Sequence, residues 1–231
     1  GIGECSLMEY TTVAPDGYTN GIDVHTGKHW IVRNNAFKNI RGPAGQPAGP
    51  AILMWNNSQD SISEGNLFLN CERGIAYGLI NKVNDHLRGI IRNNIFYRSA
   101  SQSGDVGIGV ASSPGTKVLN NTVIMNGTYP SAIEYRFANT VGVEVVNNLS
   151  DTGIQSRDGA SAQVSNNLTN AQTSWFANTA SGDLHILPVA TTAIDRALPH
   201  PDVVTDYDGQ IRLLGTAPDI GADEFSATDT Q

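Results

Sequence analysis

The most chemically capable cluster in the sequence is Asp85-His86-Leu87-Arg88. A histidine near its ordinary pKa can take a proton at neutral pH, and a neighbouring carboxylate can orient its ring. A guanidinium can neutralise a substrate carboxylate. These parts suit removal of a proton α to the carboxylate of a uronate. His86 is then the base, Asp85 its orienting partner, and Arg88 with Arg136 the neutralisers. The same set would serve a lyase or a C5-epimerase. Hydrolysis has fewer candidates, with Asp105 and Glu134 the acids that neighbouring repeats could pair.

For Arg136 to meet a loop some 50 residues upstream, the chain must repeat in space, and the sequence carries two interleaved repeats. Six segments begin with a small residue and then Ile, at Ile22, Ile52, Ile75, Ile108, Ile133 and Ile154, spaced 30, 23, 33, 25 and 21 apart. Each is followed by an Asn-bearing corner whose last member is Asn35, Asn66, Asn94, Asn121, Asn148 or Asn167, at intervals of 31, 28, 27, 27 and 19. Short apolar runs such as Leu67-Phe68-Leu69 and Ile95-Phe96-Tyr97 follow most corners. A unit of strand, turn, strand, Asn corner, strand cannot bury its own inward face, so stacked neighbours must supply the core. Asn suits the corner because it tolerates left-handed backbone and its amide can bond the adjacent coil.

Strand alternation then sorts the Ile segments into faces. The Ile residues and the positions two later point inward. One outward column holds Asp23, Leu53, Ala76, Gly109, Glu134 and Gln155, and a second holds His25, Trp55, Gly78, Ala111, Arg136 and Arg157. The columns describe a trough with a small floor, rings at one end and charge at the other. Trp55 and His25 offer faces or edges to a sugar ring, and Glu134, Arg136 and Arg157 offer polar forks. The plainer reading of those last three is a surface ion-pair ladder. The loop after the third Ile strand (80–88) and Ser101–Asp105 border the trough.

The pattern resembles the right-handed parallel β-helix proteins of the pectate-lyase-like superfamily from about Gly21 to Asn170. Ala193-Ile194-Asp195-Arg196, Asp206-Tyr207-Asp208-Gly209-Gln210-Ile211-Arg212 and Asp219-Ile220-Gly221-Ala222-Asp223-Glu224-Phe225 are similar to the endings of secreted bacterial β-helix proteins. The expected fold is all-β: a right-handed parallel β-helix over residues 1–170, with an irregular C-terminal cap and tail over 171–231 folded across the last coil. The resemblance implies an extracellular or cell-surface protein acting on or binding an acidic polysaccharide, foremost as a polysaccharide lyase. The alternative is a non-catalytic carbohydrate-binding, adhesive or filament-like surface domain.

Composition narrows the partners. Net charge is −8, but residues 1–182 hold 13 acids against 12 Lys and Arg, while 183–231 hold nine acids against Arg196 and Arg212. No basic footprint for nucleic acid exists, and no apolar run is long enough for a membrane helix. Cys5 and Cys71 fit no metal spacing and read as buried free thiols rather than a bridge. No His spacing marks a transition-metal site. Asp206, Asp208 and Asp219 partly match a calcium loop, making Ca²⁺ the one cofactor the sequence offers, but pairing of these acids with Arg196 and Arg212 is the preferred reading. The sequence opens within the pattern, so further coils, another domain or a second subunit are expected to stack on the first coil.

Overall fold

A computed structural model describes residues 1–11 and 14–226; the last five residues of the expected tail lie outside them. The chain winds into a parallel β-solenoid of about five turns. Among the described residues three parallel sheets run its length, with seven, six and six strands. The groove sheet holds Ile22–His25, Ile52–Trp55, Ile75–Tyr77, Ile108–Ala111, Ser131–Arg136 and Gly153–Arg157. The middle sheet runs from Ile2–Glu4 to Ala162–Ser165, and the third sheet, entered through the Asn corners, runs from Leu7–Glu9 to Leu149–Ser150.

Register follows the two repeats. In the groove sheet Ile22 pairs with Ile52, Ile52 with Ile75, Ile75 with Ile108, Ile108 with Ile133 and Ile133 with Ile154. Their inward partners Val24, Met54, Tyr77, Val110 and Tyr135 join one core with Val32, Phe37, Phe68, Ile91, Phe96, Val118 and Val123. Phe37 and Phe68 stack 5.0 Å apart and 6° from parallel, and Phe96 continues the stack at 6.2 Å. Burying one such side chain stabilises the fold by roughly 1.5–3 kcal/mol. At Gly74 the small residue before Ile has a steric cause: a Cβ there would stand 2.3 Å from the carbonyl oxygen of Gly107 in the next coil.

The Asn corners form a continuous ladder. The backbone N–H groups of Ser6, Asn35, Asn66, Asn94, Asn121 and Asn148 donate to the side-chain oxygens of Asn35, Asn66, Asn94, Asn121, Asn148 and Asn167, at 2.8–3.1 Å. Each side-chain amide also donates backward, as from Asn94 to the Ser63 carbonyl and from Asn121 to that of Ile91. The residue before each rung (Asn34, Gly65, Asn93, Asn120, Asn147 or Asn166) takes φ between 49° and 61°, the left-handed turn the corner demands.

Residues 171 onward lie elsewhere than expected. Instead of crossing the last coil, they pack along the outer face of the third sheet. Phe176, Leu184, Ile186, Ala193, Ile220 and Ala222 bury against Ile95, Tyr97, Ile124 and Leu149, with Leu67 and Leu69 beside them. The segment also takes up the corner residues: Asn93 Nδ2 donates to the Thr205 carbonyl, Asn120 Nδ2 to that of Asp219 and Asn147 Nδ2 to that of Leu198. From Leu67–Leu69 to Leu149–Ser150 the outward-facing residues of the third sheet are mostly apolar (Leu67, Leu69, Ile95, Tyr97, Ile124 and Leu149), and this lateral cover is what shields them from water. The final middle-sheet strand, Ala162–Ser165, stays largely exposed.

Two further expectations change. Cys71 is buried in the core, where burial pushes its thiol up to about 12, but Cys5 is exposed; both are free. Asp206 and Asp219 do not form ion pairs with Arg212 or Arg196. Their oxygens accept backbone N–H groups, those of Asp208, Gln210 and Glu224 for Asp206 and those of Asp195 and Phe225 for Asp219. These acids therefore tie turns together. Arg212 is buried and pairs with Glu224 at 3.4 Å, while donating to the carbonyls of Asp219, Gly221 and Ala222.

Removing one rung should be costly, because its neighbours cannot reach water. Asn94→Ala removes the Asn94 side chain as partner of the Asn66 N–H, of the Asn66 side-chain amide, which keeps only the Val32 carbonyl, and of the Ser63 carbonyl. A loss of roughly 3 kcal/mol is expected in chemical denaturation. Asn34→Gly, which keeps the left-handed turn, should stay within about 0.5 kcal/mol of the parent.

Candidate functional site

The two outward columns of the groove sheet lie in register. His25 pairs with Trp55, Ala76 with Leu53 and Gly109, Glu134 with Gly109 and Gln155, and Arg136 with Ala111 and Arg157. At about 4.8 Å per strand, Trp55 and Arg136 stand about 14 Å apart along the stack. Between them is a cleft of about 180 Å³. Ala76, Gly78, Gly109 and Ala111 floor it, while Arg73, Asp105, Glu134, Arg136 and Arg157 supply its charge. The floor is small by necessity at Gly78, where φ is 72° and a Cβ would stand 1.7 Å from the Ala111 carbonyl oxygen.

Each guanidinium in the cleft has a carboxylate partner. Arg73 pairs with Asp105 at 2.8 Å, Arg157 with Glu134 at 2.9 Å and Arg136 with Asp158 at 2.7 Å. Arg136 also lies 4.4 Å over the Phe137 ring. The expected grouping of Glu134, Arg136 and Arg157 is thus present, but it divides into two ion pairs, with Asp158 completing the second. Glu134 is 5% exposed, so its pair with Arg157 forms the wall of the cleft. Arg136 and Arg157 are about equally exposed, but the Asp158 carboxylate is far more open to solvent than that of Glu134.

Arg73 and Tyr129 carry weight that the repeat pattern did not assign them. Tyr129 lies against both Asp105 and Glu134, and burial together with those two carboxylates pushes its phenol up to about 12. Asp105 is set in place from behind by Arg98. That side chain is wholly buried and donates to the carbonyls of Glu72 and Asp105 at 2.8 Å. Burial brings Arg98 down to about 10. Arg73 precedes a small-Ile strand and Tyr129 precedes another, so closeness to the strand starts was the available signal.

Trp55 and His25 form the other end. The Trp55 indole N–H donates to Asp23 at 2.9 Å, and Asp23 also accepts from the Tyr18 hydroxyl at 2.9 Å. His25 is exposed and packs edge-on to Trp55 at 4.8 Å, with its ring 3.3 Å from Asp23. The indole is therefore fixed in orientation at the rim, half-buried, beside an exposed imidazole.

The Asp85-His86-Arg88 cluster does not reach the cleft as a unit. His86 is fully buried, its two ring nitrogens 2.9 Å from Ser113 Oγ and 3.2 Å from Ser61 Oγ, and its ring 4.3 Å from Tyr77. Burial pushes its imidazole down to about 3, so it is neutral and sealed from any substrate. Asp85 does not orient it. Its carboxylate accepts the backbone N–H groups of Asn56, Leu79 and Ile80 and pins the loop after Tyr77. Arg88 is exposed and forms a two-pronged pair with Asp60. The cause is a short extra strand pair: His86-Leu87 aligns with Ser58-Gln59, which turns His86 into the solenoid interior.

Fold and cleft together define a parallel β-solenoid with a charged, small-floored groove on one sheet. No protein-family model matches the chain, and no curated protein matches its sequence. Among the described residues no helix is long and apolar enough to cross a membrane.

The buried His86 makes a pH signature. The unfolded chain takes up a proton near pH 6.5 that the folded form takes up only near pH 3. Its contribution to stability is therefore complete above pH 6.5 and falls as pH drops toward 3, by up to about 1.4 kcal/mol per pH unit. Denaturation at a series of pH values from 7.5 to 4 should show a His86→Gln variant with a shallower acid loss than the parent. Equal slopes would place His86 in contact with solvent.

Proposed function

We propose that the protein binds a segment of an acidic polysaccharide along the outward face of the groove sheet, at the cell surface or outside the cell. The carrying observation is that Arg73, Arg136 and Arg157 converge with Asp105 and Glu134 over a floor too small to fill the space. Paired guanidinium and carboxylate groups present fixed donors and acceptors to sugar hydroxyls. Arg136, whose partner Asp158 is exposed, is the group a uronate carboxylate can take over bidentately. The cleft volume is below the roughly 300 Å³ at which pockets for drug-sized ligands begin. That scale fits a single sugar unit of a longer chain, with neighbouring units running toward Trp55 and His25.

Binding without bond cleavage is the better supported form of this reading. A lyase needs a base beside the substrate that is free to accept a proton, and the expected base, His86, is buried. Tyr129, held protonated at neutral pH, does not replace it. The resemblance of the repeats to pectate-lyase-like proteins accounts for the coil design and does not require that activity.

Affinity electrophoresis or calorimetry on alginate, pectate and glycosaminoglycans should detect binding that weakens as salt rises. Arg136→Ala should weaken it about 10-fold or more, and Trp55→Ala several-fold, while Arg88→Ala on the neighbouring strip leaves it unchanged. An absorbance assay for unsaturated uronates should stay flat. Equal binding of neutral glucans would remove the acidic-substrate reading, and steady growth of that absorbance would restore the lyase.

A further inference from the structure

Away from the groove, the segment packed on the third sheet collects a second set of ligand-type side chains. His185 lies on the strand Asp183–Ile186, Asp208 in the turn that follows Asp206, and Asp223 in the closing stretch. One ring nitrogen or carboxylate oxygen from each of His185, Asp208 and Asp223 lies within 4.8 Å of the others. No spacing in the sequence announces the set, because its members come from three separate stretches.

Two observations distinguish it from an ordinary acidic surface. Asp223 is 3% exposed; its Oδ2 accepts the Ile186 N–H at 2.7 Å, but its Oδ1 is buried without a hydrogen-bond partner in the protein. Such a group carries the full cost of leaving water unless something else meets it. Protonation does not solve the problem, since a hydrogen on Oδ1 would have no acceptor either. The second observation is the arrangement around His185. Nδ1 lies 2.5 Å from Asp183 Oδ1, and Nε2 lies 2.7 Å from Asp208 Oδ2. A carboxylate that fixes one ring nitrogen while the other faces a cluster of oxygens is the usual outer support of a metal-binding histidine.

We propose that His185 Nε2, Asp208 and Asp223 bind a divalent cation of the zinc class, with Asp183 as the positioning residue behind His185. One imidazole and two carboxylates form a three-ligand set that Zn²⁺ accepts, leaving a fourth position for solvent. Ligands around tetrahedral zinc stand roughly 3.3 Å apart, so the wider separations, up to 4.8 Å, must close and Asp208 must withdraw by about half an ångström from its 2.7 Å contact with Nε2. Asp208, on an exposed turn, is free to do so. Ca²⁺ is a poorer match, because it calls for six to eight oxygens and gains little from imidazole. Bound there, the ion would join the hairpin strand, the 206–209 turn and the last described stretch of chain.

Calorimetry on the whole chelator-treated protein, titrated separately with Zn²⁺, Mn²⁺ and Ca²⁺, tests this. One equivalent of Zn²⁺ should bind, more tightly than Ca²⁺, and raise the thermal midpoint. His185→Gln and Asp223→Asn should each weaken Zn²⁺ at least 100-fold, Asp183→Asn about 10-fold, and His200→Gln, at a distant His–acid contact, not at all. Circular dichroism on each variant confirms that it is folded; if one ligand variant fails to fold, the other carries the test. Absence of stoichiometric Zn²⁺ binding, or binding untouched by the folded ligand variants, overturns the proposal and leaves the buried Asp223 oxygen to water.

Discussion

Every other feature depends on the hydrogen-bonded column of Asn35, Asn66, Asn94, Asn121, Asn148 and Asn167. A parallel stack can in principle slip by one residue, and in strands of three or four residues the apolar contacts alone resist that weakly. The Asn column removes the freedom. Each side-chain oxygen takes the preceding corner's N–H, and each side-chain amide reaches back to the coil before, as Asn94 does while also donating on to Asn121, so a slip would break buried bonds on both sides. Loops between corners vary from coil to coil without disturbing the stack, since register is renewed once per turn.

Fixed register makes the cleft a property of columns instead of a loop. Ala76, Gly109 and Glu134 follow one another strand by strand because the Ile beside them are aligned. The same alignment sets Arg136 beside Arg157, two like charges on adjacent strands that would repel if bare. Glu134 and Asp158 neutralise them, one from inside the wall and one from solvent. That difference in exposure separates a permanent structural pair from one an incoming carboxylate can rearrange.

The columns of the groove sheet were legible in the sequence because period-two alternation about a marked residue needs no knowledge of the loops. Position along the loops was not legible. Asn84-Asp85-His86 carries the composition of a surface turn, yet pairing with Ser58-Gln59 adds a short strip that faces His86 inward among Ser61 and Ser113. Serines on both sides of a histidine, one coil away each, were the only hint. The lateral placement of residues 171 onward had a clearer signal. Leu67-Phe68-Leu69 and Ile95-Phe96-Tyr97 are apolar at all three positions, whereas a strand with one wet face alternates. Both faces of the third sheet therefore had to be covered, and the Trp- and Phe-bearing tail was the material for it. Arg98 and Tyr129 were illegible for another reason: their roles depend on carbonyls and carboxylates brought together only by the closed coil.

This lateral cover bears on the cleft although it does not touch it. The third-sheet strands it buries, from Leu67–Leu69 to Leu149–Ser150, belong to the same coils that begin with Ile52, Ile75, Ile108 and Ser131 on the groove sheet. Those coils carry the floor and Glu134 with Arg136. Their inward faces share one close-packed core, and such interiors transmit displacement instead of absorbing it. Securing the outer face of one sheet therefore stiffens the opposite one. A binding surface made of short strands, with its charged groups held by partners of unequal exposure, needs such backing if recognition is to come from preset geometry and not from ordering the chain on contact.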